Sequence, residues 1–338
     1  MFSLRLFSAL GILLLTLGSV RGANAKTFVV TSTADTDGSI CGTDCTLRQA
    51  INAANSDRTD ADVIVFDEHV FATKQTIEIT GHHDSGPPYN GLPSIFSDVS
   101  IIGPTSPGMG VTLRALGGPN SQVLQVSGSL DNTHVYITNL TLCNARVGTR
   151  NYGSDTNVTN CTFSHNDFGV INNNSSYIYA ETRALYQIML ANLSVDNSTF
   201  FENKSNGVTN FSGNATLNFC TVTGSERGVQ GSEGNIAISN SIVAGNMEYN
   251  LCSSDVCTFD KIGHNITSGT VQQAGLDPRG LSDNGGATET VALVRGEAAQ
   301  GVAGNRLATD QRGVPRSQQS NAYIGAFEYE EKSPSQHS

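Results

Sequence analysis

A four-residue segment recurs five times through the middle of this chain at nearly constant spacing. The segments are Asn139-Leu-Thr-Leu, Asn160-Cys-Thr-Phe, Asn197-Ser-Thr-Phe, Phe219-Cys-Thr-Val and Asn240-Ser-Ile-Val. Their first residues lie 21, 37, 22 and 21 positions apart, and the long interval returns to the common period if residues 177–191 form an insertion. This period suits one coil of three short strands joined by three turns. The repeat therefore predicts a solenoid.

Alternation within each segment predicts strands whose neighbouring residues face opposite sides. In the second segment, Cys161 and Phe163 share one face and Thr162 takes the other. Stacked coils then place four apolar residues in one interior column: Phe163, Phe200, Val222 and Val243. We expect the leading Asn residues to form a ladder of side-chain amides bonded from coil to coil. Because parallel crossovers are nearly always right-handed, the predicted fold class is all-β, a single-stranded right-handed parallel β-helix.

The first 25 residues have the features of an export signal. Arg5 precedes an apolar run at residues 10–17, and Ala23-Asn24-Ala25 suits cleavage. The apolar run is too short to span a bilayer. Cleavage after residue 25 changes the net charge from −11 to −13, because it removes Arg5 and Arg21 and leaves 17 Lys+Arg against 30 Asp+Glu. Such an acidic surface argues against nucleic acid as a partner. The sequence predicts a secreted monomer without a membrane span.

A solenoid needs caps, because its terminal coils expose apolar faces and unpaired strand edges. Residues 45–55 predict a short amphipathic helix in which Thr46 and Gln49 form a capping box. The predicted organisation has five parts along the chain: a signal peptide at 1–25, an N-terminal cap at 26–55, β-helix coils at 56–275 with an insertion near 177–191, C-terminal coils and a cap at 276–330, and a polar tail at 331–338.

Motifs near both ends resemble those of known exported bacterial proteins. Residues 45–51 (CTLRQAI), preceded by 27–35 (TFVVTSTAD), resemble the CSLREA motif, with Thr and Gln where that motif has Ser and Glu. Residues 281–288 (LSDNGGAT), 310–316 (DQRGVPR) and 324–329 (IGAFEY) resemble the choice-of-anchor Q domain. The resemblance implies pectate-lyase-like coils over nearly the whole predicted mature chain. It implies no single reaction, because these families share an architecture.

Seven cysteines in a chain with a predicted export signal indicate disulfides. Two pairs, four and five residues apart, can each close a small loop: Cys41 with Cys45 and Cys252 with Cys257. Free cysteine packs as a small apolar residue, so we expect Cys161 and Cys220 to be reduced and buried. The insertion places these two residues two coils apart, about 9.6 Å by strand spacing, which is beyond disulfide reach.

Charged side chains follow the repeat at two fixed offsets. Seven residues past the leading position lie Arg146, Asp167, Lys204 and Glu226, and five past it lie Asn144, His165, Glu202 and Gly224. Stacking places each set in a column beside the next strand, where the resemblance implies a substrate groove. The predicted catalytic cluster is His165, Asp167, Glu202, Lys204 and Glu226. The predicted substrate-binding residues are Arg146 and, on the insertion that can overhang the groove, Tyr177, Tyr179 and Arg183.

Two reactions suit these residue types. Elimination from a uronate needs a base, for which His165 is the candidate, and a cation near the substrate carboxylate, for which Lys204 is the candidate. Asp167 and Glu202 then hold a cation such as Ca²⁺ or act as acids. Hydrolysis instead needs two carboxylates, which Asp167, Glu202 and Glu226 can supply. No cofactor beyond this Ca²⁺ is predicted.

The predicted function is that of a secreted polysaccharide lyase or glycosidase acting on an extracellular polysaccharide. The alternative is a non-catalytic adhesin or matrix protein that uses a long face of the β-helix as a binding platform. A column of alternating charges also serves simply to pair surface strands and to discourage edge aggregation. The sequence His82-His83-Asp84 is interpreted as an exposed turn, because adjacent side chains of an extended chain point to different sides.

Overall fold

A computed structural model describes the chain in residues 25–56, 58, 60–80, 91–116, 121–128, 133–178, 186–252, 258–296, 299, 301, 307–317 and 322–329. In these ranges the chain forms 26 strands, β1 to β26 in chain order, and one helix, α1. Sheet A has nine strands: β1 (Thr27–Val30), β2 (Asp62–Phe66), β4 (Val99–Ile102), β7 (His134–Thr138), β10 (Asp155–Thr159), β15 (Asn192–Asp196), β18 (Asn214–Asn218), β21 (Asn235–Ser239) and β24 (Thr258–Ile262).

Two further parallel sheets complete the coils. Sheet B contains β3 (Lys74–Ile79), β5 (Gly110–Ala115), β8 (Leu140–Cys143), β11 (Thr162–Ser164), β16 (Thr199–Phe201), β19 (Thr221–Thr223) and β22 (Ile242–Val243). Sheet C contains β6 (Gln122–Ser127), β9 (Val147–Tyr152), β12 (Phe168–Asn173), β17 (Asn206–Asn210), β20 (Arg227–Gly231) and β23 (Tyr249–Leu251). Two antiparallel hairpins lie outside the sheets: β13 (Ser175–Ile178) with β14 (Tyr186–Met189), and β25 (Leu276–Ser282) with β26 (Thr290–Leu293). The fold is a right-handed parallel β-helix, as predicted.

The predicted interior column is present. Strands β11, β16, β19 and β22 pair in register, which places Phe163, Phe200, Val222 and Val243 at equivalent positions. All four side chains are fully buried, and the rings of Phe163 and Phe200 stack with their centroids 4.9 Å apart. Leu142 on β8 continues the column in the other direction. The alignment of the repeat is therefore confirmed.

The leading residue of each repeat forms the turn between sheet A and sheet B. Five of these residues adopt a left-handed backbone conformation, with φ between 47° and 57°: Asn139, Asn160, Asn197, Phe219 and Asn240. Asn tolerates this conformation better than most residues. The predicted ladder between their side chains is wrong, because the Asn139 amide donates to the carbonyl of Gly103 and the Asn197 amide donates to that of Thr309. Backbone conformation, rather than side-chain pairing, selects Asn at this position.

Buried Asn ladders do occur at two other positions of the coil. Just after the turn between sheets B and C, Asn166 Nδ2 donates to Asn203 Oδ1 at 3.1 Å. At the end of sheet C, Asn151 Nδ2 donates to Asn172 Oδ1, and Asn172 Nδ2 donates to Asn210 Oδ1, each at 2.8 Å. All five side chains are buried. Their amides satisfy one another and the neighbouring turn backbone, as buried polar groups must.

Helix α1 (Leu47–Ser56) covers the N-terminal end of the coils, as predicted. The capping box is formed, since the backbone N of Gln49 donates to Thr46 Oγ1 at 3.2 Å and that of Thr46 donates to Gln49 Oε1 at 2.9 Å. Arg48, the second residue of the helix, is buried, and its Nε lies 2.8 Å from Asp35 Oδ1. In the part of the chain that the structure describes, no helix is long and apolar enough to cross a membrane.

The insertion lengthens one coil without interrupting the sheets. The β13–β14 hairpin follows β12 of sheet C in the chain and precedes β15 of sheet A. At its base, the backbone N of Ala191 donates to Asn174 Oδ1 at 2.8 Å. Strand β15 still pairs in full register with β10 of the preceding coil. The hairpin thus overlaps the insertion predicted near residues 177–191.

The C-terminal segment (residues 276–329) adds no coil in the described ranges. After the β25–β26 hairpin, the chain lies along the outer face of sheet B. Thr162 Oγ1 donates to the carbonyl of Glu289 at 2.6 Å, and the backbone N of Ala326 donates to Thr221 Oγ1 at 3.0 Å. The prediction of further C-terminal coils was wrong, because these residues satisfy the outward-facing hydroxyls of sheet B instead.

Buried charges hold this C-terminal segment in place. The side chain of Arg316 is fully buried, with Nη1 3.2 Å from Glu328 Oε2 and Nη2 donating to Asn197 Oδ1 at 2.8 Å. Its guanidinium carbon lies 4.1 Å from the ring centroid of Phe219. Burial lowers the pKa of Arg316 to about 10 and raises that of Glu328, and their ion pair opposes both shifts. Both charged residues belong to the C-terminal motifs described above, so those motifs have a structural role.

The cysteines behave largely as predicted. Cys41 and Cys45 are disulfide-bonded. Cys252 is also disulfide-bonded, and its predicted partner, Cys257, lies outside the described residues. Cys161 and Cys220 are free and fully buried, on coils separated by the one that carries β16. Their predicted reduced state is therefore confirmed.

Candidate functional site

Two predicted catalytic residues, His165 and Glu202, occupy the same position on adjacent coils. Each is the first residue of the turn between sheets B and C. Nε2 of His165 lies 3.3 Å from Oε2 of Glu202, and each side chain is about half exposed, at 51% and 53%. The His165 ring also meets the edge of the Phe201 ring, with the centroids 6.0 Å apart. This contact is an ion pair when the imidazole is protonated. A carboxylate beside an imidazole is an arrangement that can orient a base.

The repeat provides an internal comparison for this turn position. Its φ is positive on five successive coils: 60° at Asn144, 57° at His165, 48° at Glu202, 75° at Gly224 and 71° at Gly245. Gly and Asn adopt this conformation at little cost, whereas a long side chain such as that of Glu pays about 1 kcal/mol or more. Glu202 is the residue that this conformation suits least, and it is the one that places a carboxylate against the imidazole of His165. Local folding alone does not favour this choice.

The second predicted column also pairs charges across coils. Nζ of Lys204 lies 3.9 Å from Oδ1 of Asp167, and the Lys204 side chain is 84% exposed. Each lies two residues beyond a member of the His165–Glu202 pair. Glu226, the next acid in the column, lies 3.2 Å from Nη2 of Arg227 on its own coil. The structure therefore brings four of the predicted catalytic residues onto two neighbouring coils and engages Glu226 elsewhere.

A groove of about 330 Å³ lies between the outer face of sheet B and the C-terminal segment. The residues that line it include Lys74, Thr112, Arg114, Thr141, Cys143, His165 and Glu289. His165 thus stands at the border between the turn column and the groove. The resemblance had implied a groove along sheet C. The groove described by these residues lies against sheet B, because the C-terminal segment folds back and forms one wall.

The charges in the groove are largely balanced. Nε of Arg114 donates to Glu78 Oε2 at 3.0 Å. Nζ of Lys74 lies 2.7 Å from Asp283 Oδ2, and this ion pair lowers the pKa of Asp283. Burial raises the pKa of the Cys143 thiol to about 11, so the thiol is neutral near pH 7 and is a poor nucleophile. With threonine hydroxyls between the ion pairs, the groove suits a hydroxyl-rich ligand.

The predicted cation has no donor set in the described part of the chain. There, no group of three or more His, Cys, Asp or Glu side chains is placed to hold a metal ion. Asp167 and Glu202, the residues predicted to hold Ca²⁺, are each paired with a basic side chain. Ca²⁺ prefers six to eight oxygen ligands. These residues do not fit that requirement, and Ca²⁺ binding stays a prediction.

The remaining predicted residues divide between described and undescribed parts of the chain. Arg146 immediately precedes β9, at the edge of sheet C, and Tyr177 belongs to strand β13. Tyr179, Arg183 and the sequence His82-His83-Asp84 lie outside the described residues. Sequence reasoning missed three charged residues of the groove: Lys74, Arg114 and Glu289. Lys74 and Arg114 lie on coils before the first recognisable repeat, and Glu289 reaches the groove only through the fold-back.

Comparisons with known proteins are limited to the fold. No family model matches the chain, and no curated protein matches it. Among solved structures, the pectate lyase Pel9A is 13% identical over 70% of this chain and 58% of its own, with a TM-score of 0.42. Jun a 1, the major allergen from cedar pollen, is 12% identical over 74% of this chain and 81% of its own, with a TM-score of 0.33. The chain thus spans 58% of the length of that pectate lyase.

Proposed function

We propose that this protein is a secreted polysaccharide lyase in which His165 is the base and Glu202 orients it. The observation that carries the proposal is the His165–Glu202 pair, 3.3 Å apart at turn positions where neighbouring coils have Asn or Gly. Backbone strain retained for the sake of a side-chain pair is typical of functional sites. The groove that His165 borders supplies a place for the sugar chain.

The reaction follows from the roles these groups can take. Nδ1 of His165 removes the proton from C5 of a uronate residue, and the C5–H electron pair forms a C4–C5 double bond. The bond from C4 to the glycosidic oxygen breaks, and that oxygen leaves with a proton supplied by water or by the imidazolium. Lys204, exposed and held by Asp167, neutralises the charge that develops on the uronate carboxylate. Hydrolysis is less well supported, because Glu202 and Asp167, the two predicted catalytic carboxylates on these coils, are each paired with a basic side chain.

The test replaces each member of the pair with the residue that suits its turn. His165→Asn and Glu202→Asn remove the imidazole and the carboxylate while retaining a side chain that the left-handed backbone accepts. On a polyuronate panel monitored by the absorbance of the unsaturated product, we expect each variant to lower kcat by at least about 100-fold. The melting temperature should hold or rise, because an exposed ion pair contributes little and strain is relieved.

A matched control is Glu248→Gln. Glu248 Oε2 accepts a hydrogen bond from Arg227 Nε at 2.8 Å on an adjacent coil, and its side chain is 48% exposed, close to the value for Glu202. This variant should retain full activity. If His165→Asn and Glu202→Asn both retain full turnover on a substrate that the wild type cleaves, the pair is not the catalytic site.

A non-catalytic glycan-binding platform is the second candidate. It is favoured by exposed ion pairs that join neighbouring coils, Asp167 with Lys204 and Arg227 with Glu248. Such pairs are also what surface strands use to hold their register. In this case the wild type retains a polysaccharide in affinity electrophoresis, releases no unsaturated or reducing ends, and binds equally well after His165→Asn.

A further inference from the structure

Strand β9 presents an arginine on the outer face of sheet C. Thr149 and Asn151 of this strand are fully buried and point into the coil, where Thr149 is in register with the core residue Val170. Successive side chains of a strand point to opposite faces. Arg150 and Tyr152, which alternate with the buried residues, therefore belong to the outer face. This face lies on the other side of the turn from the groove against sheet B.

The guanidinium of Arg150 is partly buried without an internal counter-charge. Its Nε is buried and donates no hydrogen bond within the described residues, and no ion pair joins it to a carboxylate among them. Burial, and after it the positive charge of Arg146, lowers the pKa of Arg150. Buried charges in proteins are normally paired, because an isolated charge is costly to remove from water. The missing counter-charge points to a ligand.

The residues around Arg150 suit a sugar that carries a negative charge. Register places Gln125 on the coil before it and Ile171 on the coil after it. Ile171 is only 2% exposed, so an apolar residue occupies the neighbouring position on the next strand. Tyr152, two residues along on the same face, offers an aromatic ring with a hydroxyl group. An apolar surface, an amide and an aromatic ring beside a fork of N–H donors form a small anion-binding surface.

We propose that Arg146 and Arg150 form a binding site for one anionic substituent of a glycan, a carboxylate or a sulfate. Arginine binds either group with two parallel hydrogen bonds, which supplies the counter-charge that the chain itself lacks. The site lies on a different sheet from the groove and stands whether or not His165 is catalytic. A glycan held there is anchored beside the turn column without contributing to bond cleavage.

The experiment measures binding of small probes to the full-length protein and two variants. Sodium glucuronate carries a carboxylate, inorganic sulfate represents a sulfate ester, and glucose is the neutral control, all at the same ionic strength. We expect glucuronate or sulfate, and not glucose, to raise the melting temperature of the wild type. Arg150→Met should weaken the affinity for that anion at least about tenfold, as expected for loss of a charge-assisted hydrogen bond. The melting temperature of the ligand-free variant should hold or rise, because an unpaired buried charge is removed.

Arg227→Met is the matched control. Arg227 lies on the same sheet, at the start of β20, but its guanidinium is already paired with Glu248 at 2.8 Å and with Glu226 at 3.2 Å. This variant should bind the anion as tightly as the wild type does. A larger response to glucuronate identifies a carboxylate ligand, and a larger response to sulfate identifies a sulfate ester. The proposal is wrong if neither anion binds, if Arg150→Met binds as the wild type does, or if that variant unfolds more readily without ligand.

Discussion

Three residues break the pattern of the repeat, and they do so for different physical reasons. Phe219 replaces Asn at the first turn and keeps its positive φ of 52°, and its ring supports the guanidinium of Arg316 at 4.1 Å. A cation over an aromatic face offsets part of the cost of that backbone conformation. His165 and Glu202 are both half exposed and contact each other, and the His165 ring meets only the edge of the Phe201 ring. The comparison within one chain separates a structural departure from a candidate functional one.

The buried thiols give a pH dependence at the same scale. Burial raises the pKa of Cys161 and of Cys220 from 9.0 to about 12. The folded state therefore keeps these protons at a pH where the unfolded state releases them. The resulting stability is fully present below pH 9 and is lost as the pH rises towards 12. We expect the free energy of unfolding, measured in urea, to fall by about 1.4 kcal/mol per pH unit for each thiol.

A single replacement isolates the contribution of one thiol. Cys161→Ala lowers stability at every pH because it leaves a small cavity, but the slope between pH 9 and 11 should lose the share of that thiol. A slope that stays unchanged in this variant means that other groups cause the alkaline loss of stability.

The C-terminal segment is held to the coils by contacts between residues far apart in the sequence. Gln311 Nε2 donates to Thr162 Oγ1 at 2.8 Å, and Gln311 Oε1 accepts from Thr199 Oγ1 at 2.6 Å. A single glutamine therefore bridges two coils of sheet B. The neighbouring Asp310 is fully buried and holds Arg312 at 2.7 Å. These residues are all used internally, so the motif that contains them has a structural role.

Arg316→Ala tests whether this segment depends on its buried ion pair. The change leaves Glu328 buried without its counter-charge and removes the bond to Asn197, so we expect a loss of about 3–5 kcal/mol in the free energy of unfolding. The control is Arg279→Ala in the same segment, because Arg279 pairs with Asp277 at 2.6 Å but is 84% exposed. The control should cost much less, because an exposed ion pair contributes little to stability. Equal losses in urea denaturation would mean that burial of the pair is unimportant.

At the scale of the whole molecule, the fold-back of the C-terminal segment ties the coils together, whereas the net charge opposes the approach of an acidic polysaccharide. The fold-back joins residues more than 100 positions apart, such as Thr199 and Gln311, and so ties coils that otherwise contact only their neighbours. The net charge of −11 repels an acidic polysaccharide at long range, whereas Arg146, Arg150 and Lys204 supply local positive charge. The long-range repulsion is screened by salt, and short-range contacts are screened much less.

Association with a polyuronate should therefore speed up as salt is added. Raising the ionic strength from 0.01 M to 0.15 M shortens the Debye length from about 30 Å to about 8 Å, which removes most of the repulsion before contact. Stopped-flow measurement of the association rate constant tests this, with a neutral polysaccharide as the control that salt leaves unchanged. A rate that falls with salt would show that attraction to the local cations outweighs the net charge.

The sequence by itself determined the coils and their interior. The period of the repeat fixes the length of one coil, and alternation within each segment decides which face is buried, so the column from Phe163 to Val243 was predictable. The capping box at Thr46 and Gln49 and the disulfide between Cys41 and Cys45 were also predictable, because each joins residues close together in the chain.

Only the tertiary structure decided what covers each outer face. No periodicity connects Gln311 to Thr162 or Arg316 to Asn197, so the fold-back over sheet B and the groove beside it could not be read from spacing. The lack of a counter-charge beside Arg150 among the described residues could not be predicted either. It depends on which carboxylates the folded chain places nearby. Coil register follows from local sequence, whereas contacts between a coil and a distant segment depend on surfaces that exist only after the coils have stacked.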